Sequence, residues 1–79
     1  MELFHGRKEK KYFVTNVKNE KEALKEISKY LDSHKIKSFY IRSWEQPKGT
    51  INYDYGSHTK FFYLYKNERS KEDLNEETF

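Results

Sequence analysis

One segment of this chain repeats apolar residues at helical spacing, and that segment limits how the rest can fold. Asn19 precedes the repeat, and Glu22 lies three residues after Asn19, which is a capping-box arrangement. The pattern predicts an amphipathic helix that runs from this cap to about His34. Its apolar stripe consists of Ala23, Leu24, Ile27, Tyr30 and Leu31. A single helix of this kind can cover only one face of a sheet.

Strand patterns flank the predicted helix on both sides. Residues 11–17 are β-branched and aromatic and predict a first strand, whereas residues 1–10 lack a pattern and predict a loose arm. Three further strands are expected at 39–44, 50–55 and 58–66, separated by turn residues at 45–49 and by Gly56-Ser57.

The fold class is therefore α+β in the order β-α-β-β-β, with the helix packed on one face of a mainly antiparallel sheet. If the first two strands are parallel, the crossover between them should be right-handed. We expect one domain over residues 1–79, because the chain is too short for two. Such a chain buries only about 60% of its unfolded surface, so its stability is marginal unless a partner adds burial.

The polar tail from residue 67 differs in charge from the rest of the chain. Ser70 and Asp73 form a second capping box, which favours a short helix over 70–78. Residues 66–79 carry three cations against five carboxylates, a net charge of −2, so residues 1–65 carry +5. This is well below the charge of a typical nucleic-acid-binding domain. Lys8, Lys10 and Lys11 form a short basic cluster, which indicates anion contact less often than plain solubility.

Composition restricts the chemistry available. An aromatic content of 18% argues against disorder, although 37% of the residues are charged. The chain has no cysteine, which excludes disulfides, zinc–thiolate sites and thiol nucleophiles. His5, His34 and His58 lack metal-ligand spacing, and His34 suits the negative end of the helix dipole.

These features predict a protein without catalytic residues, metal or cofactor. Ser57 and His58 are adjacent on a turn with no orienting third group, so nucleophilic catalysis there is not expected. No segment resembles a signal peptide or a membrane span, which favours a cytoplasmic location with no membrane partner.

Strand register sharpens the prediction. If Gly56-Ser57 is a two-residue loop, Ile51 faces Phe62, and if 45–49 is the preceding loop, Trp44 faces Thr50. One face of the sheet then holds Phe39, Ile41, Ile51, Tyr53, Phe62 and Leu64, which the helix stripe can cover. The other, helix-free face holds Tyr40, Arg42, Trp44, Asn52, Asp54, Phe61, Tyr63 and Tyr65. A one-residue slip in the last hairpin would instead place Asn52 beside Phe62 and make a poorer core.

Three interpretations of the helix-free face are open. The tail folds back over it through Leu74 and Phe79, although two apolar residues cover little area. Alternatively, the face binds a protein, either a second copy or another chain, because exposed aromatic patches mark interaction sites. In the third, single-stranded nucleic acid stacks on its rings, which Arg42 favours and Asp54 disfavours. The residues expected to bind a partner are Tyr40, Arg42, Trp44, Phe61, Tyr63 and Tyr65.

Residues 38–65 also carry a resemblance. Trp44-x-x-Pro47-x-Gly49, followed by Asp54-Tyr55-Gly56-Ser57-His58-Thr59-x-Phe61-Phe62, resembles short uncharacterised proteins of phages and prophages of low-GC Gram-positive bacteria. The resemblance implies an accessory protein that acts in the cytoplasm of a bacterial host. Such proteins often bind a host or defence protein, and some bind nucleic acid. It implies no catalytic residues and no particular target.

Overall fold

The computed structural model describes residues 1–38 and 40–66 and confirms the α+β class. Within these residues, one helix packs on a five-stranded sheet whose order is β2-β1-β5-β4-β3, with every neighbouring pair antiparallel. The elements are β1 (Glu2–Arg7), β2 (Lys10–Asn16), α1 (Glu20–Ser33), β3 (Arg42–Glu45), β4 (Thr50–Asp54) and β5 (Phe61–Tyr65). The helix predicted at 70–78 and Phe39 lie outside the described residues.

The N-terminal residues that we expected to form a loose arm contain an interior strand of the sheet. β1 pairs with β2 on one side and with β5 on the other, so the element order is β-β-α-β-β-β. Leu3 and His5 are buried on the side of the helix, two residues apart as the period of a strand requires. The predicted order therefore lacked one strand.

The helix forms where its sequence pattern predicts. The Asn19 side chain accepts a hydrogen bond from the Glu22 amide at 2.9 Å, as a capping box requires. At the other end, Lys35 adopts a left-handed conformation with φ of 55°, and the Ile36 amide donates to the Leu31 carbonyl at 2.9 Å. This Schellman-type ending satisfies a carbonyl that the last turn would leave unpaired.

The core lies between the helix and one face of the sheet. The helix contributes Ala23, Ile27 and Leu31, all buried, whereas Leu24 of the predicted stripe is 43% exposed. The core residues are Leu3, Val17, Ala23, Ile27, Leu31, Ile51, Tyr53, Tyr55, Phe62 and Leu64. Val14, Tyr30 and Ile36 pack against this cluster from its edges.

Both predicted hairpin registers are wrong by two residues. Trp44 faces Asn52 rather than Thr50, and Phe62 faces Tyr53 rather than Ile51. The first loop is shorter than predicted, spanning 46–49, and the second is longer, spanning 55–60. Because β3 begins only at residue 42, Ile41 lies outside the sheet and is exposed instead of joining the core.

The edges of the sheet are β2 and β3, which run in the same direction at opposite sides. The connection between them, which contains the helix, runs from one edge of the sheet to the other. The two strands are therefore not neighbours, whereas a simple crossover would place them side by side. Over residues 1–38 and 40–66, no helix has the length and apolar character needed to cross a membrane.

Candidate functional site

The face of the sheet opposite the helix carries aromatic rings on four of its five strands. Trp44 on β3 is opposite Asn52 on β4, which is opposite Tyr63 on β5. The next strand, β1, places Phe4 opposite Tyr63 and also opposite Phe13 of β2. Cross-strand partners share a face, so these aromatic side chains form a band across the helix-free face.

The six predicted contact residues lie at this face or its rim, but their exposure differs. Trp44 is 45% exposed, Tyr40 and Arg42 are also exposed, and Phe61 is half-buried. Tyr63 and Tyr65, which we expected to be accessible, are only 3% and 2% exposed. The accessible part is therefore the group at the β3 edge, Tyr40, Arg42, Trp44 and Phe61, which we call the Trp44 cluster.

The aromatic side chains of the Trp44 cluster are held by ring contacts. The Trp44 and Phe61 rings meet edge to face, with centroids 6.2 Å apart, and Phe61 meets Tyr63 in the same way at 6.4 Å. Edge-to-face geometry places the positive rim of one ring on the negative face of the next. Trp44 therefore projects from a supported position rather than from a loop.

The charged part of the cluster is anchored by Asp54. Its carboxylate accepts hydrogen bonds from the Arg42 guanidinium at 2.8 Å and from the Gly56 amide at 2.9 Å. The bond from Gly56, followed by the bond from Arg42, lowers the pKa of Asp54 below its usual value. The Arg42 guanidinium also lies 5.2 Å from the centroid of the Tyr40 ring, a cation–π distance. Asp54 thus fixes the arginine beside the tyrosine.

The tyrosines at the centre of the band are tightly packed, and a lysine lies against one of them. The Lys11 ammonium lies 4.4 Å from the centroid of the Tyr63 ring, and the Phe4 ring contacts Tyr65 edge to face at 5.2 Å. Burial, with a smaller effect of Glu9, raises the pKa of Tyr63 to about 12. Both tyrosines support the exposed rings from within, and the raised pKa keeps Tyr63 neutral at physiological pH.

An aromatic pair beside the β2 edge was not predicted from the sequence. Phe4 and Phe13 meet edge to face with centroids 5.6 Å apart, and Phe13 is 53% exposed. Phe4 was placed in the arm, and Phe13 could not be assigned to a face without knowing its neighbour. The available signal was the alternation of apolar and polar residues around Leu3 and around Phe13, which the nearby charged residues obscured.

On the opposite side of the sheet, His5 is enclosed by aromatic rings. Its Nε2 atom is 2.8 Å from the Tyr55 hydroxyl, and its ring centroid lies 4.7 Å from Tyr30 and 4.5 Å from Phe62. Burial is the main cause that lowers the pKa of His5 to about 4, followed by the charges of Lys60 and His34. His5 is therefore neutral at pH 7 and part of the core, with one edge toward a surface cleft.

The remaining histidine and serine positions have ordinary structural roles. Nδ1 of His34 is 2.8 Å from the Tyr30 carbonyl, so the side chain caps the helix C-terminus where it was expected. The Ser57 hydroxyl accepts a hydrogen bond from the Lys60 amide at 3.1 Å and organises the loop before β5. His58 is exposed. Among the residues described, no group of three or more His, Asp or Glu side chains is arranged to hold a metal ion.

Comparison with known proteins yields no relative: no protein-family model, no curated protein and no solved structure matches the chain.

Proposed function

We propose that this protein is a non-catalytic binding module that engages another protein through the Trp44 cluster. The observation that carries the proposal is the exposure of Trp44, 45% of whose surface is accessible although it lies in a strand and is supported by Phe61. Tryptophan, tyrosine and arginine are the residue types that contribute most to binding energy at interfaces. Here all three occur within one cluster.

The geometry of the cluster suits docking in two ways. The Tyr40, Arg42 and Asp54 side chains are already held together, so little side-chain entropy is lost when a partner contacts them. In addition, β3 is an edge strand whose four residues are all exposed. A partner can therefore contact the aromatic rings and also add a strand along the outer side of β3.

The class of partner follows from the resemblance to phage and prophage accessory proteins. That resemblance favours a host or defence protein in the bacterial cytoplasm, with a second copy of this chain as the other protein that the cluster can engage. The chain has 79 residues, and because domains of this size bury a small share of their unfolded surface, a partner that buries more apolar surface would stabilise it.

The test compares two variants with similarly exposed apolar residues. Trp44→Ala removes the centre of the cluster, and Leu24→Ala removes a 43% exposed residue from the helix on the opposite side. Proteins that cross-link to the wild type and to Leu24→Ala in host lysate should be lost with Trp44→Ala. Each such protein is then purified and its affinity measured against the three forms.

Matched thermal melts establish that both variants are folded. Sedimentation equilibrium of the purified chain detects self-association, which Trp44→Ala should weaken if the partner is a second copy. Equal affinities of the wild type and Trp44→Ala for every partner, including the chain itself, would exclude the cluster as the binding site.

A second candidate function is single-stranded nucleic-acid binding by the same face. It is favoured by two cations that lie over rings, Lys11 over Tyr63 and Arg42 over Tyr40. Phosphate contact with such cations and base stacking on exposed rings is the usual mode of these modules. Binding of labelled single strands that weakens steeply with salt would support this function, and no binding at low salt would remove it.

A further inference from the structure

A cleft on the helix side of the sheet lies outside the Trp44 cluster. It has a volume of about 570 Å³ and opens between the tip of the β1–β2 hairpin, the last turn of α1 and the residue before β5. Pockets for small molecules are commonly about 300–1,000 Å³ in volume. The side chains that define its chemistry are His5, Arg7, Lys10, Tyr12, Tyr30 and Lys60.

Three of these residues, on two strands and at the end of the loop before β5, form a row of like charges. Arg7 of β1 is directly opposite Lys10 of β2. The register between β1 and β5, which pairs Gly6 with Phe61, brings Lys60 opposite Arg7 on the other side when continued by one residue. Neighbouring strands are about 4.8 Å apart, so the three cations span about 10 Å. Like charges directly opposite one another destabilise a sheet, so this row is a local cost to folding.

Within residues 1–38 and 40–66, no salt bridge neutralises the row. In the described part of the chain, salt bridges join Lys29 to Glu26, Arg42 to Asp54 and Lys66 to Glu45, and none involves the three cations of the cleft. Among the described residues, the cleft wall contains one carboxylate, that of Glu9, and its cations exceed it in number. Of the three cations, Lys60 acts on the floor of the cleft, because its charge is the second cause, after burial, that lowers the pKa of His5.

Two tyrosines provide flat surfaces beside the cations. Tyr12 is opposite His5 in the sheet register and is one of the most exposed aromatic residues in the described chain. Tyr30 is held by the helix and stacks on His34 with ring centroids 3.9 Å apart. Aromatic side chains of this kind stack on nucleobases, while lysine and arginine bind phosphate oxygens.

We propose that this cleft binds a phosphorylated nucleoside, with the phosphate on Arg7, Lys10 and Lys60 and the base against Tyr12. A bound phosphate would relieve the repulsion within the cation row, which gives the ligand a definite source of binding energy. The inference does not depend on the proposed function, because the cleft and the Trp44 cluster lie on opposite sides of the sheet.

An NMR titration of the isotope-labelled full chain at low salt tests the proposal, with AMP, adenosine and inorganic phosphate as separate probes. AMP should bind saturably, shift the amides of the β1–β2 hairpin and bind more tightly than either of the other two probes. Arg7→Ala and Lys60→Ala should each lower the affinity for AMP about tenfold, the usual effect of losing a charge-assisted hydrogen bond. Lys25→Ala removes the same charge from the exposed side of the helix and should leave the affinity within about twofold.

The role of the base is tested separately with Tyr12→Leu, which should lower the affinity for AMP and leave the affinity for phosphate unchanged. A 5′-phosphorylated trinucleotide then distinguishes the source of the ligand. Tighter binding than AMP would assign the cleft to the end of a nucleic-acid strand, and equal binding would assign it to a free nucleotide. The proposal is overturned if the chemical-shift changes caused by AMP do not saturate. It is also overturned if Lys25→Ala lowers the affinity for AMP as much as Lys60→Ala does, or if adenosine binds as tightly as AMP.

Discussion

At the scale of single residues, the burial of His5 couples folding to pH. The folded protein holds the pKa of His5 at about 4, whereas an unfolded chain has the ordinary value of 6.5. Between these values the unfolded state binds more protons than the folded state, so protonation favours unfolding. The stabilising effect is fully present above pH 6.5 and is lost as the pH falls toward 4.

We expect the free energy of unfolding to fall by about 3 kcal/mol more in the wild type than in His5→Gln when the pH is lowered from 7 to 4. Glutamine can still bond to the Tyr55 hydroxyl but does not titrate, and all other ionisable groups are common to both proteins. Urea denaturation at a series of pH values measures the difference. Parallel pH profiles for the two proteins would mean that His5 accepts a proton without loss of the fold.

The ring contacts of His5 show why its role could not be predicted from the sequence. Its partners Tyr30, Tyr55 and Phe62 come from a helix, a loop and a strand that are far from it along the chain. Residue spacing along the chain bears on metal ligation, which depends on other histidines or carboxylates nearby. Aromatic enclosure depends instead on the pairing of β1 with β5, a long-range contact that periodicity does not reveal.

At the scale of secondary-structure elements, the faces of the strands were predicted more accurately than their pairing. Both hairpins differ from the predicted register by two residues, and a shift of two leaves every side chain on its original face. Ile51, Tyr53, Phe62 and Leu64 are therefore in the core as predicted, although both predicted turns are wrong.

Local hydrogen bonds explain why the second turn is longer than predicted. The Asp54 side chain accepts from the Gly56 amide, and the Ser57 hydroxyl accepts from the Lys60 amide. Asp and Ser side chains that bond to nearby backbone amides compete with strand pairing and stabilise a wider loop. The predicted two-residue loop took account of the glycine alone.

The orientation of the helix leads to a prediction for two residues of its stripe. Ile27 is fully buried, whereas Leu24 lies at the margin of the stripe and is partly exposed. Ile27→Ala should lower the free energy of unfolding by about 2–5 kcal/mol, because it leaves a cavity in the core. Leu24→Ala should lower it by less than about 1 kcal/mol. Urea denaturation measures both, and equal losses would contradict the observed rotation of the helix.

At the scale of the whole molecule, the helix of the described residues covers one side of the sheet, and aromatic residues lie on the other. That division was predictable, because the sequence contains one strong helical pattern and several aromatic strands. The accessibility of residues within the helix-free face was not predictable. Tyr63 and Tyr65 lie on the predicted side but are buried. The cation row at the cleft was also missed, because Arg7, Lys10 and Lys60 come together only through the position of β1 between β2 and β5.

The most direct test of the central claim is the accessibility of Trp44 in the folded chain. Trp44 is the only tryptophan in the sequence, so tryptophan fluorescence reports on this one position. For the folded monomer, acrylamide should quench the emission to an extent between that of a buried indole and that of the urea-unfolded chain, as an exposure of 45% requires. Emission at short wavelength that acrylamide does not quench would show an enclosed Trp44 and contradict the proposed binding surface.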